Sequence, residues 1–160
     1  MEIIHYKINL KNLIEPNKNV SFQLLFRMSR DGENFNVFHQ LCDNQGPTVT
    51  LLQLEDNNLL GFYTPLNWNT SSSWIYDPGM FHFSLTKNIK CMKNKNNSSG
   101  MFCYQGYGPY TDFFKFCSSM KKPIINPFAK TYENCQNLYP GKKEGIYKCL
   151  EIEIFKILYG

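Results

Sequence analysis

Two short apolar runs, Phe22–Met28 and Thr48–Leu54, flank a helical stripe. This order constrains the fold more tightly than any other stretch of the chain. Both runs are apolar and read as strands. The first, interrupted only by Gln23 and Arg27, suits a strand buried on both faces. Ser29 to Gly32 changes the chain direction, because Asp31-Gly32 favours a turn with positive φ. Asn34 is a good N-cap. Phe35, Phe38, Leu41 and Cys42 then fall at i, i+3, i+6 and i+7, one apolar stripe over about two helical turns, with His39 beside it. Gly46 and Pro47 supply the stop. The unit reads as strand, turn, short helix, turn, strand.

The rest of the chain repeats strand signals. Thr48–Glu55 and Leu59–Thr64 form a hairpin across Asp56-Asn57-Asn58. Trp74 to Gly79 reads as a turn. Met80, Phe81, Phe83 and Leu85 read as a strand with His82 and Ser84 on its other face. Thr86 to Gly100, rich in Lys, Asn and Ser, reads as a mobile loop. Met101–Tyr104 and Tyr110–Cys117 read as strands around a Gly-rich turn, and Ser118 to Gly145 as irregular chain broken by prolines. Ile146 to Leu158 closes the chain as a long strand, with Glu151 and Glu153 on its alternate face. Residues 1–20 are an uncertain segment: Ile4, Tyr6 and Ile8 alternate like a strand, whereas Leu10, Leu13 and Ile14 fit a helical turn ended by Pro16. Many strands and one clear helix give an α+β, mainly β class. The expected architecture is a two-sheet antiparallel β-sandwich with one or two short flanking helices, in a single domain over residues 1–160.

Composition narrows the function classes. The 160 residues contain no 18-residue apolar window and begin without the pattern of a secretory leader, so a cytoplasmic location is expected, with the nucleus open. Six cysteines occur without a CxxC pair. Buried free thiols are the simple reading, and a metal site built from separated Cys and His the alternative. No cofactor or metal is expected. The net charge of +4 is spread over scattered lysine pairs, and no nucleic-acid motif accompanies them.

Candidate chemistry is sparse. Cys42 and His39, at i and i+3 on one helix, could form a thiolate–imidazolium pair, but Cys42 belongs to the apolar stripe, where burial makes a thiol inert. Asp31 and Asp43 could be paired carboxylates, yet turn and cap roles explain both. Glu153, set in an apolar strand, requires a partner if buried, and Arg27 or Arg30 is the natural one. Trp68, Trp74 and Tyr76 either anchor a polar loop or form an aromatic recognition patch.

Several segments together carry a family likeness. Leu24-Leu-Phe-Arg-Met-Ser-Arg-Asp-Gly32, Phe38-His-Gln-Leu-Cys-Asp-Asn-Gln-Gly-Pro-Thr48, Leu60-Gly-Phe-Tyr-Thr64, Trp68, Trp74-Ile-Tyr-Asp-Pro78, Phe81-His-Phe-Ser-Leu85 and Leu150-Glu-Ile-Glu-Ile-Phe155 resemble the TLDc domain family of oxidation-resistance proteins. The likeness is nearest to its divergent members in amoebae and ciliates. On this resemblance Ser29, Asp31, Gly32, Phe38, Asp43, Gly46, Gly61 and Glu153 are structural motif positions. Gly61-Phe62 departs from the two small residues usual there, and the stretch from Cys117 to Lys143 does not align. The resemblance implies a β-sandwich and a non-catalytic protein-interaction module in oxidative-stress response, with subunits of the vacuolar proton-pumping ATPase as a possible partner. A cysteine-based redox protein and a nucleic-acid-binding regulator are the alternatives.

Overall fold

In the computed structural model, which describes residues 7–92, 100–126, 137–139 and 143–160, the first half runs α1 (Lys7–Ile14), β1 (Val20–Arg27), α2 (Met28–Asp31), α3 (Phe35–Cys42), β2 (Thr48–Leu54), β3 (Leu59–Thr64) and β4 (Ser73–Ile75). The second half runs β5 (Phe81–Ser84), β6 (Ile89–Met92), β7 (Met101–Cys103), β8 (Phe114–Lys115), β9 (Ile124–Ile125), β10 (Gly145–Ile146) and β11 (Cys149–Tyr159). Six strands form one antiparallel sheet in the order β1-β11-β2-β3-β5-β6. The closing strand lies inside that sheet, pairing Phe22 with Ile157 on one side and Leu51 with Glu153 on the other.

Both faces of this sheet are covered. On one, Phe26, Leu52, Phe62 and Ile154 pack with Phe38 and Cys42 of α3, with Trp68, and with Phe113, Phe114 and Phe116 from the later loops. On the other, Val49, Leu51, Phe83 and Phe155 pack with Leu10 and Ile14 of α1. A strand covered on both sides has no polar face to alternate with, which is why β2 and β3 read as nearly unbroken apolar runs, whereas β5 buries His82 and Ser84 on its alternate face. The layer above α3 is completed by two small sheets, β4-β7 and β10-β9-β8. The antiparallel, sandwich-like class expected from sequence therefore holds, with one broad sheet facing a layer of short pieces.

The hairpin turn at Asn57 (φ 65°), the positive φ of Gly32 and the Asn34 cap, whose side chain accepts from Asn36 N at 2.7 Å, follow the sequence reading. Gly61 has a packing reason as well: an added Cβ would lie 2.4 Å from Thr50 O and 2.7 Å from the Phe83 ring.

Several expectations are corrected. From Lys7 to Ile14 the N-terminal segment is helical, with Leu10 and Ile14 sealing the second face, while Ile4 and Tyr6 of the alternating pattern lie outside the described residues. Ser29 is in a short helix rather than a plain turn. β1 is an edge strand and only partly buried, not covered on both faces. Trp74 lies in a strand, and the predicted loop after Thr86 contains β6, which pairs with β5. Its remainder, residues 93–99, lies outside the described residues. Of the strand predicted over Tyr110–Cys117 only β8 forms.

Candidate functional site

The motif residues gather first where β1 meets β11. Register sets Arg27 opposite Glu153, and Arg27 Nε donates to Glu153 Oε1 at 2.7 Å. Glu153 is fully buried. Its Oε2 has no hydrogen-bond partner among the described residues. Burial pushes this carboxyl above the usual range, and Arg27 opposes the shift. α2 continues directly from β1 and folds back over it. Asp31 Oδ2 accepts from Arg27 N at 2.8 Å and from Arg30 Nη2 at 2.8 Å. Arg30 thereby holds the Asp31 carboxyl below its ordinary range. Ser29 N donates to Glu151 Oε1 at 3.1 Å, and the same oxygen accepts from Ile152 N at 3.1 Å.

Glu151 was not singled out by sequence reasoning. Its signal was its place two residues before Glu153 on the same strand face. The shallow depression alongside, lined by Met28, Ser29, Gly32, Glu33, Lys121 and Leu150, is crossed by an exposed Lys121–Glu33 ion pair at 2.8 Å. The Asp31, Glu151 and Glu153 carboxylates are each engaged by backbone N–H groups or arginine, and Glu33 by Lys121. The cluster fixes the entry into α3; its carboxylates do not converge on an open position where a substrate atom could sit.

The second gathering is at His39. Its Nδ1 is 2.8 Å from Asp43 Oδ1, and its Nε2 is 2.9 Å from both Tyr104 O and Tyr107 O. All three neighbours present acceptor oxygens, so both ring nitrogens of His39 are engaged between α3 and the Tyr104–Tyr107 turn. With both nitrogens taken, His39 makes no hydrogen bond to Cys42. Cys42 is itself sealed in the core, and burial pushes its thiol up. Burial also pushes Cys103 up to about 11 and Cys149 to about 12. Asp31 and Asp43 do not act as a carboxylate pair; one binds arginine and the other histidine. Cys91 is disulfide-bonded, which corrects the expectation of free thiols at that position. Cys117 is partly exposed and free. Among the described residues no group of three or more His, Cys, Asp or Glu side chains is placed to hold a metal ion.

A buried polar pair lies across the core. Thr111 Oγ1 accepts from Phe113 N and Phe114 N at 3.2 and 3.0 Å, so its own hydrogen points to His82 Nε2 at 2.9 Å. Burial holds His82 neutral, with its pKa lowered to about 3.

The aromatic candidates divide. Trp68 is 1% exposed. It donates from Nε1 to Thr48 Oγ1 at 3.2 Å and meets Phe38 and Phe62 edge to face. Trp74 and Tyr76 are 47% and 54% exposed. Strand pairing sets Trp74 opposite Phe102, with ring centroids 5.3 Å apart. Tyr110 meets Trp74 at 5.7 Å and stacks on Tyr107 at 5.3 Å and 13°. Tyr104, 41% exposed, meets Tyr107 at 4.8 Å. Sequence reasoning missed Phe102, Tyr104, Tyr107 and Tyr110, although their spacing after Gly100 was visible. The carbonyls of Tyr104 and Tyr107 are the ones His39 holds, so this face is braced from beneath by α3.

Among the described residues no helix is long and apolar enough to cross a membrane. Compared with known families, the chain matches the model of the TLDc domain over residues 4–158, nearly its whole length. No curated protein matches it.

Proposed function

The chain belongs to the TLDc domain family, which is linked to the oxidative-stress response, and from this premise we propose that it works as a non-catalytic protein-interaction module through the aromatic face around Trp74. One observation carries the reading. Cys42, His39, Glu151 and Glu153 are buried and serve the fold, Cys117 is a partly exposed free thiol outside both motif clusters, and an aromatic surface is left to solvent. Tyr and Trp on a rigid, partly exposed surface are the residues that anchor protein interfaces. The role in stress response and the named partner, a subunit of the vacuolar proton-pumping ATPase, come from the family likeness.

A pull-down from the cells of origin tests this, with wild-type bait and Trp74→Ala in parallel. Recovery of pump subunits by the wild type and their loss with Trp74→Ala is expected. Recovery of no pump subunit removes that partner, and equal recovery by both baits removes the aromatic face. Peroxide consumption that is lost on replacing the cysteines would instead establish the redox reading.

A further inference from the structure

The six-stranded sheet has two edges, and the fold treats them differently. At one edge lies β6, four residues long, with exposed Lys90 in its middle. A short edge that carries a lysine resists pairing with another chain. At the other edge lies β1, eight residues long, with no charged side chain before Arg27.

Hydrogen bonds fix which groups of β1 face outward. Gly160 N donates to Asn19 O at 2.8 Å, so Asn19 bonds toward β11, and by antiparallel alternation Ser21 and Gln23 do the same. Ile157 lies opposite Phe22 but donates to Pro47 O at 3.0 Å, on its other side. The N–H and C=O groups of Val20, Phe22 and Leu24 therefore lie along the open edge, away from β11. Beyond the irregularity at Leu25 that edge is closed by α2. Arg30 Nη2 donates to Leu25 O at 3.0 Å, and Arg27 N donates to Asp31 Oδ2 at 2.8 Å. Among the described residues no such contact closes the stretch from Val20 to Leu24.

This open window is its own complement. We propose that β1 pairs with β1 of a second copy of the chain, antiparallel about a two-fold axis through Phe22. In that register Phe22 meets its own counterpart, Val20 meets Leu24 and Ser21 meets Gln23. Apolar opposes apolar, polar opposes polar, and each outward N–H meets an outward C=O. A register shifted by one residue would set Phe22 against Ser21 and lose both matches. Phe22 and Leu24 are half-buried on the face that α1 covers, where Phe22 meets Phe155 edge-on at 6.4 Å. A cross-strand pair of Phe22 rings covers more of each. No charge lies between Val20 and Phe26, so no like charges are brought together. The paired window is short and buries less than the roughly 1,200 Å² of a stable interface, which makes the dimer transient, with a Kd of about 10 µM to 1 mM. The pairing draws on no residue of the aromatic face.

Sedimentation equilibrium of the full chain from about 1 µM to about 1 mM tests the pairing, with amide hydrogen exchange at both ends of that range. A concentration-dependent dimer is expected. In it the amides of Val20, Phe22 and Leu24 exchange more slowly, while those of Ser21 and Gln23, already bonded to β11, do not change. Two double variants at exposed positions read the register. Ser21→Glu with Gln23→Glu opposes like charges across the axis, and Ser21→Lys with Gln23→Glu opposes unlike ones. The second is expected to dimerise about tenfold more tightly than the first, with the circular dichroism of both unchanged. A monomer throughout the range, equal association of the two variants, or a dimer that leaves the Val20, Phe22 and Leu24 amides exchanging as in the monomer overturns the proposal. Slowing of these amides only in complex with another protein also overturns it, in favour of a strand supplied by that partner.

Discussion

Trp68 and Trp74 are six positions apart in one uncharged loop region and have opposite fates. Trp68 closes the core between α3 and β3, its ring packed on Phe38 and Phe62 and its N–H bonded to Thr48. Trp74 stands on a two-stranded sheet, half in solvent, with other aromatic rings as its neighbours. Trp68 is tied into the core by ring contacts and a hydrogen bond, whereas Trp74 joins a partly exposed aromatic cluster with Phe102 and Tyr110. Ser29, Asp31 and Glu153 of the family motif are tied into the β1–β11 corner by hydrogen bonds, and the proposed contact surface lies on other segments.

The first way to break this contrast is to truncate each ring. Trp68→Ala is expected to cost about 3–5 kcal/mol of stability, the range for a large buried aromatic. Trp74→Ala costs less than about 1 kcal/mol and leaves the fold intact. Urea unfolding of both variants measures this, and equal losses would erase the distinction. The next largest effect is at the corner. Arg27→Met leaves Glu153 buried without its cation and is expected to cost about 2–3 kcal/mol, less than for a fully buried pair because the Arg27 side chain is 39% exposed. Adding Glu153→Gln restores most of the loss. A double variant no better than the single one would mean that the pair does not hold the corner.

A smaller effect is pH-dependent. The pKa of His82 is about 3 in the fold, against about 6.5 in the unfolded chain. As pH falls, the unfolded chain takes up the proton first. Stability from the neutral ring is therefore fully present above about pH 6.5, declines below it, and levels off near pH 3. The slope is at most about 1.4 kcal/mol per pH unit. The profile of His82→Gln should be flatter across that window, and an unchanged profile would show that another group carries the acid sensitivity. The mildest test is thiol labelling at neutral pH. Cys117 should react in the folded protein, whereas Cys42, Cys103 and Cys149 should wait for unfolding, because burial raises their thiol pKa values. Fast labelling of Cys42 would revive a catalytic reading of the helix.

Local rules made much of this fold legible. The Asn34 cap, the Phe35–Phe38–Cys42 stripe and the Asp56–Asn58 turn are set by residues near one another in sequence, and all three form. The Arg27–Glu153 pair was foreseeable because a carboxylate in an apolar strand must find a cation. What escaped depends on distant partners. β4 is three residues long beside a run of serines and is a strand only because β7 lies next to it. α1 is fixed by the need to cover Val49, Leu51 and Phe83, which no local period reveals. His39 is committed by two carbonyls more than sixty positions away. The aromatic face was half visible: Trp74 and Tyr76 were named, but Trp68 was grouped with them, and composition does not tell a core indole from an exposed one.

The central claim is that partners are met on the Trp74 face and not at the motif corner. Hydroxyl-radical footprinting of the chain, free and in its isolated partner complex, tests it most directly. Protection of Trp74, Tyr76 and Tyr104, with Leu150 and Leu158 labelled as in the free chain, is the predicted result. Protection at Leu150 with Trp74 and Tyr104 unchanged would contradict it.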